Sequence, residues 1–206
     1  MFDIQHYGSF ITAILIFQAV PGAGTIAILD ATARNGTRAG MAAVLGTLTG
    51  DLLFMLAAVM GLAAIIHAQP LVFQALQWFG GAYLLWLGIG LVRQRHDDTG
   101  ARPSVAMSWQ AYFCRAFMVS VGNPKVMLFF VGFFPLFLAP GSAPTTLVAM
   151  MAHVTAFSLL YQTLLVFVGN VVASRLRTKT RAKKWSTRLA GCALIGLSIK
   201  LVMDMR

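Results

Sequence analysis

Two long and almost uncharged runs limit what this chain can fold into more than any other feature of its sequence. Residues 39–92 contain one formally charged side chain, Asp51, and residues 116–174 contain only Lys125. A helix crosses a bilayer with about 20 predominantly apolar residues, so each run has the length for two crossings. The chain is 58% hydrophobic and 11% charged, whereas a soluble domain carries about 25% charged residues. The sequence therefore predicts a polytopic membrane protein.

Turn-forming residues divide both runs. Proline and glycine favour turns, and they interrupt the first run at His67-Ala-Gln-Pro70 and the second at Ala139-Pro-Gly-Ser-Ala-Pro144. Apolar segments near the two ends of the chain add one helix each. The predicted spans lie near residues 8–30, 38–66, 71–92, 112–138, 146–173 and 187–204. The predicted fold is thus all-α, with six transmembrane helices.

The basic residues predict the orientation of these helices. Thirteen of the 16 Lys and Arg residues fall in the first, third and fifth connections between spans: Arg34, Arg38, Arg93, Arg95, Arg102, Arg115, Arg175, Arg177, Lys179, Arg181, Lys183, Lys184 and Arg188. Basic loops stay in the cytoplasm, so both termini are predicted to be periplasmic. A net charge of +10 can also indicate nucleic-acid binding. Membrane topology accounts for the basic residues here, and no nucleic-acid partner is predicted.

The predicted helices form two halves of opposite orientation. Residues 1–95 and 107–206 hold three helices each and are joined by a cytoplasmic linker at 96–106. The sequence thus predicts one transmembrane transporter domain built as two inverted three-helix repeats. Transporters of this layout bind substrate at interrupted helices in matching positions of the two halves. Such interruptions are predicted at Pro21-Gly22-Ala23-Gly24 in helix 1 and at Gly122-Asn123-Pro124-Lys125 in helix 4.

The two interruptions are predicted to form the substrate site. Proline removes a backbone donor, and freed backbone groups are costly in lipid unless they line a cavity. A freed helix N-terminus attracts a carboxylate, and freed carbonyls attract an ammonium group. The alternative is a plain proline kink in each helix. The predicted substrate-binding residues are Pro21, Gly22, Asn123, Pro124 and Lys125, together with the polar residues Gln18 and Tyr161.

Asp51 is the predicted proton-coupling residue. A carboxylate inside a membrane is costly, so it indicates a function by default. The alternative is a structural ion pair with Lys125, the other formal charge at comparable depth. Thr47 lies one turn before Asp51 and is a candidate hydrogen-bond partner. His153 in helix 5 is a second candidate for proton transfer, with a packing role as its alternative.

Missing motifs exclude several functions. The sequence has no GxxxxGK[ST] loop for ATP and no HxxxH or CxxC spacing for a metal, and it has no GxSxG or HExxH hydrolase motif. The chain is therefore predicted not to be an enzyme and to hold no metal or cofactor, so uphill transport would use an ion gradient. Two alternatives stay open: a carrier of another small solute or metal ion, and a membrane enzyme or assembly factor without transport activity.

Three segments of the chain carry a family resemblance. Residues 21–51 combine the Pro21-Gly22 opening with a glycine-rich second helix and the closing pair Gly50-Asp51. The later segments read GNPKVMLFFVGFFPLF at 122–137 and GCALIGLSIKL at 191–201. Together with the length and the six-span layout, these segments resemble the LysE/RhtB family of amino-acid exporters.

The resemblance implies a function and a set of residues. It implies efflux of amino acids or close derivatives across a bacterial inner membrane, driven by the proton motive force. The positions that match the family are Pro21, Gly22, Gly50, Asp51, Asn123, Pro124 and Lys125. Three residues, Ala23, Asp30 and Leu136, depart from the usual family pattern. The particular substrate is left open, and so is whether the chain acts as a homo-oligomer.

Overall fold

The all-α prediction is confirmed. The computed structural model describes residues 4–20, 22–93, 107–139, 141–176 and 180–204. These residues form seven α-helices: α1 Tyr7–Ala19, α2 Ala23–Ala68, α3 Pro70–Arg93, α4 Trp109–Val121, α5 Pro124–Phe133, α6 Pro144–Leu176 and α7 Thr180–Asp204. A 3-10 helix at Phe134–Phe137 follows α5. The predicted linker at 96–106 lies outside the described residues.

Helix α2 is two helices joined by a sharp kink. Its 46 residues would be roughly 70 Å long as one straight helix, more than twice the hydrocarbon thickness of a bilayer. The backbone leaves the helical conformation at Asn35 and Gly36, and Gly36 has a φ of 72°. Glycine adopts this left-handed conformation without steric cost. Residues 23–34 and 37–68 are therefore separate arms, which agrees with the predicted division between the first two spans.

Both predicted helix interruptions are confirmed. The first lies between the end of α1 at Ala19 and the start of α2 at Ala23, although Pro21 itself lies outside the described residues. The second lies between the end of α4 at Val121 and the start of α5 at Pro124. The helical segments on either side of this second break are bent by 59° relative to one another.

By length and composition, three helices of the described residues can cross a membrane by themselves. They are Ala23–Ile65, Pro70–Gly90 and Pro144–Val168. The bent pair Trp109–Val121 and Lys125–Phe137 makes a fourth if it counts as one span, and α1 is a shorter apolar helix. The chain is thus a multi-pass membrane protein, and the count of six spans stays a prediction.

The two ends of the described chain lie side by side. The Nδ1 atom of His6 is 3.7 Å from the carboxylate of Asp204, and Ile4 forms an antiparallel bridge with Leu138. We call this part of the molecule the terminal end. Chain ends that meet on one side of a helical bundle are expected when the chain crosses an even number of times.

An ion-pair cluster marks the opposite end of the molecule. The Asp30 carboxylate accepts a hydrogen bond from Arg34 Nε at 2.6 Å and lies 3.4 Å from Arg115 Nη1. We call this part the basic end. The cluster gives Asp30, which departs from the family pattern, a role in holding the first arm of α2 against α4.

Two helices begin earlier than predicted, for identifiable reasons. The predicted fourth span begins at 112, whereas α4 begins at Trp109 because the Ser108 hydroxyl accepts a hydrogen bond from Ala111 N at 3.3 Å. Serine is a favoured residue for capping a helix in this way. The predicted sixth span begins at 187, whereas α7 begins at Thr180. An apolar run indicates only the part of a helix that lies inside the membrane. Polar helical turns that precede the run are therefore not predicted from it.

Candidate functional site

A single cavity joins the two helix interruptions. It has a volume of about 50 Å³ and is partly open to the surroundings. The first interruption contributes Gln18 and Gly22 to its wall, and the second contributes Asn123 and Lys125. Helix α2 contributes Asp51. The structure therefore brings together five of the residues that were predicted from separate parts of the sequence.

The second interruption presents a capped helix N-terminus to this cavity. The side-chain Oδ1 of Asn123 accepts a hydrogen bond from Lys125 N at 3.1 Å, which is the ordinary role of an asparagine before the first helical residue. Proline fits the first position of α5 because its missing N–H has no partner to lose there. The Asn-Pro-Lys sequence thus ends one helix and starts the next. The partial positive charge of that new N-terminus favours an anion.

Asp51 is held by α4 rather than by its own helix. The Ser120 hydroxyl donates a hydrogen bond to Asp51 Oδ1 at 2.6 Å. Gly50 makes this contact sterically feasible, because a Cβ atom at that position would lie 2.7 Å from the Ser120 Cβ. The suggested bond between Thr47 and Asp51 is absent, since Thr47 Oγ1 has no hydrogen-bond partner in the described residues. The pair Gly50-Asp51 therefore works as a unit: the glycine admits Ser120 and the aspartate binds it.

Lys125 contacts an aromatic ring instead of a carboxylate. Its Nζ atom lies 5.4 Å from the centroid of the Phe17 ring, within the range of a cation–π interaction. Within the part of the chain that the structure describes, no ion pair joins Lys125 to Asp51. The structural ion pair that stood as the alternative role of Asp51 is therefore not formed, and both charges line the same cavity unpaired with each other.

Stacked phenylalanine rings fill the space between the cavity and the terminal end. The Phe17 and Phe129 rings are stacked with centroids 3.6 Å apart, and Phe129 stacks on Phe133 at 4.6 Å. Phe133 in turn packs against Phe10 at 5.5 Å and Phe137 at 4.9 Å. These rings come from α1, α5 and the 3-10 helix, and all of them are buried except Phe17, which is partly buried. This apolar packing runs from Phe17 in the cavity wall to Phe10 and Phe137 near the terminal end.

Two predicted residues lie outside the cavity wall. Tyr161 is half-buried on α6 and is not part of the lining, whereas the adjacent Gln162 is. His153 bonds through Nδ1 to the carbonyl oxygen of Ala149 at 2.7 Å, and its ring packs edge-on against Tyr7 at 5.7 Å. His153 therefore lies nearer to the start of α1 than to the helix interruptions.

Sequence reasoning missed Ser120, which binds Asp51. A serine in the last turn before Gly122 is a weak indication of a residue that lines a cavity. Nothing in the sequence predicts that its hydroxyl contacts a residue of α2. Gln18 was predicted, and its Nε2 atom donates a hydrogen bond to the Ser158 hydroxyl on α6. This bond ties the first interruption to α6, and no sequence pattern indicated it.

A helical membrane protein with a charged cavity at two interrupted helices has the architecture of a secondary transporter. The chain belongs to the LysE type translocator family, whose model matches residues 15–205. It is 29% identical over 205 residues to an uncharacterised membrane protein of Pseudomonas aeruginosa, covering 96% of this chain and 95% of the relative.

Other relatives carry functional names. The chain is 28% identical over 208 residues to a protein named leucine efflux protein from Enterobacter sp. strain 638, covering 97% of this chain and 96% of the relative. A protein of the same name from Salmonella typhimurium is 28% identical over 204 residues, with the same coverage. No solved structure matches the chain.

Proposed function

We propose that this protein is a secondary active exporter of amino acids or close derivatives across the bacterial inner membrane, driven by the proton motive force. The observation that carries the proposal is the cavity that joins both helix interruptions and contains Asp51 and Lys125. Membership of the LysE type translocator family supports it. Because relatives are named leucine efflux protein, leucine is the first substrate to test.

The carboxylate of the substrate binds at the second interruption in this proposal. Lys125 offers an ammonium group, and the N-terminus of α5, capped by Asn123, adds partial positive charge beside it. Pro21, Gly22 and Pro124 shape the two interruptions, and Gln18 supplies a polar wall. Tyr161 is proposed to lie beside the cavity, because the adjacent residue Gln162 is part of the cavity wall.

Asp51 carries the proton in this proposal. A buried carboxylate is costly in its charged form, so an empty cavity favours its protonation and a bound cationic group favours its release. One elementary charge that crosses the membrane field provides about 2.3 kcal/mol per 100 mV, which can drive uphill export without ATP. His153, which lies near the start of α1, is proposed as a relay between Asp51 and the terminal end.

The proposed architecture is the six-span inverted repeat, with halves 1–95 and 107–206 and a cytoplasmic linker between them. Three features of the fold support it. Each half begins with an interrupted helix, the third helices of the halves, α3 and α7, pack against each other, and the chain ends meet at the terminal end. The thirteen basic residues of the odd connections orient the basic end toward the cytoplasm.

Purified protein in liposomes tests the proposal directly. Vesicles loaded with an amino acid are placed under a pH gradient, and release is followed for leucine and for a panel of other amino acids and derivatives. We expect release of leucine or a related amino acid that depends on both the protein and the gradient, and that stops when an uncoupler dissipates the gradient. A protein that moves no amino acid under any gradient would contradict the proposal.

A further inference from the structure

Two buried oxygen atoms in the cavity wall lack hydrogen-bond partners among the residues that the structure describes. They are Thr47 Oγ1 on α2 and Gln162 Oε1 on α6, and both residues are 5% exposed. A buried polar atom without a partner is costly, and native proteins contain few of them. Two further atoms of this kind in the described residues, Tyr112 Oη and Ser142 Oγ, belong to residues away from the cavity. The pair at the cavity therefore indicates a ligand that donates hydrogen bonds.

Asp51 supplies a third acceptor in the same wall. Its Oδ1 atom accepts from Ser120, and the described residues provide no hydrogen bond or ion pair to Oδ2. Thr47 and Asp51 are four residues apart on α2, so their side chains share one face of the helix. Gln162 reaches the cavity from α6, which packs against α2. Three residues that each carry an oxygen acceptor without a partner in the described residues therefore line one cavity.

We propose that Thr47, Asp51 and Gln162 form an ammonium pocket, in which a primary ammonium group of the substrate donates one hydrogen bond to each residue. This inference rests on the proposed function and specifies its substrate. A primary ammonium has three N–H donors, which matches the three free acceptors. It is also cationic, which matches the Asp51 carboxylate. With its carboxylate at Lys125 and the α5 N-terminus, the substrate is a zwitterion with an unmethylated amino group.

The pocket predicts discrimination by the number of N–H donors. N-methyl-leucine keeps the positive charge but has two donors, and N,N-dimethyl-leucine has one. The analogue 2-hydroxy-4-methylpentanoate has no ammonium group. Each lost hydrogen bond to a charged partner is expected to weaken binding by about tenfold. The expected order of affinity is therefore leucine, N-methyl-leucine, N,N-dimethyl-leucine and the hydroxy acid.

The experiment measures binding of these four compounds to the purified full-length protein in lipid nanodiscs. Thr47→Val and Gln162→Met keep the side-chain size but remove an acceptor, so each is expected to weaken leucine binding about tenfold and to narrow the preference for leucine over N-methyl-leucine. Thr47→Ser keeps the hydroxyl and is therefore expected to bind leucine more tightly than Thr47→Val does. Thr49→Val is the matched control, because Thr49 is exposed on the same helix and its hydroxyl donates a hydrogen bond to the Leu45 carbonyl oxygen one turn earlier.

The outcomes separate the pocket from the proposed function. Wild-type protein that binds leucine and its N-methyl derivatives equally well would overturn the pocket and leave amino-acid export standing, whatever the variants do. A second result would also overturn the pocket: leucine binding that is lost when choline replaces sodium in the buffer and that is insensitive to N-methylation. That result would assign the three oxygens to a sodium ion. Wild-type protein that binds none of the amino acids in a full panel would overturn both the pocket and the export function.

Discussion

Gly50 determines how closely Ser120 can approach Asp51. A Cβ atom at this position would lie 2.7 Å from Ser120 Cβ and 2.8 Å from Ser120 Oγ, both far inside van der Waals contact. Gly50→Ala should therefore push α4 away, break the hydrogen bond to Asp51, and destabilise the protein by about 1–3 kcal/mol, as overpacking does. We expect a lower melting temperature in lipid nanodiscs and a large loss of amino-acid export from liposomes.

Gly61→Ala is the matched control for this change. Gly61 lies on the same arm of α2, and a Cβ atom there would meet nothing within 4 Å. Alanine is also the better helix former by about 1 kcal/mol, so Gly61→Ala should be neutral or slightly stabilising. If the alanine variants at Gly50 and Gly61 export amino acids equally well, the approach of Ser120 to Asp51 has no functional role.

Asp51→Asn tests proton coupling. The amide keeps the shape of the side chain and can still accept a hydrogen bond from Ser120, but it cannot exchange a proton. Amino-acid transport driven by a pH gradient should fail. Exchange of labelled for unlabelled amino acid across the liposome membrane should continue, because exchange needs no net proton movement. Parallel assays of gradient-driven transport and exchange on the same liposomes distinguish these effects.

The double variant Asp51→Asn with Lys125→Gln is the control for a structural role. Breaking a buried ion pair from one side costs roughly 3–5 kcal/mol, and removing both charges would relieve that cost. Because the described residues contain no ion pair between the two, the second change should not restore transport. Gradient-driven export at the wild-type rate by the double variant would rule out Asp51 as the proton carrier.

The sequence identified residues of the cavity where the chemistry is local, and missed those that depend on a second helix. Asp51, Lys125 and Asn123 stand out because a charge or an Asn-Pro pair is unusual in an apolar run. Ser120 does not stand out, because its role depends on the packing of α4 against α2. Thr47 was assigned to the wrong partner for the same reason: spacing along one helix gives a shared face, not a contact.

At the scale of helices, the Asn123 cap holds the second interruption in shape. Its Oδ1 atom accepts from Lys125 N, and loss of such a cap costs about 1 kcal/mol. Asn123→Ala should lower stability by that amount and leave the protein in the membrane. It should abolish amino-acid export, because the N-terminus of α5 is no longer fixed at the cavity. Thermal unfolding in nanodiscs and liposome export measure the two effects.

Asn123→Ser separates the cap from other contacts of the side chain. Serine also caps helices well, so this variant should recover the stability that alanine loses. If Asn123→Ser recovers both export and stability, the function of Asn123 is to cap the helix. If it recovers stability without export, the function of Asn123 is to contact the substrate. Unchanged export by Asn123→Ala would contradict a substrate site at the interrupted helices.

The helix interruptions were predictable and their geometry was not. Proline and glycine act on their own backbone, so the breaks near Gly22 and Asn123 can be read from the chain alone. The bend of 59° between the segments around the second break depends on packing against α2 and α3. The kink of α2 at Asn35 and Gly36 was expected only as a loop between two spans.

At the scale of the whole molecule, the contact between the chain ends limits the possible topologies. His6 lies beside Asp204, and this contact joins residues from opposite ends of the sequence. The sequence predicted the same result by a different route, because six crossings return the chain to its starting side. Neither argument gives the side of the membrane, which depends on the basic loops and on the lipid and not on internal contacts.

Cysteine labelling determines that side. Cys114 and Cys192 are exposed, so both are first replaced by serine. New cysteines are then introduced at Ala143, which is exposed at the connection before α6, and at Thr178 in the basic fifth connection, outside the described residues. Ser142 is a poor position for the label because it is 5% exposed. The thirteen Lys and Arg residues predict that the odd connections lie in the cytoplasm. A membrane-impermeant maleimide should therefore label Ala143→Cys in intact cells and Thr178→Cys only after permeabilisation. Labelling of Thr178→Cys in intact cells would place the basic end outside and refute the proposed orientation of both halves.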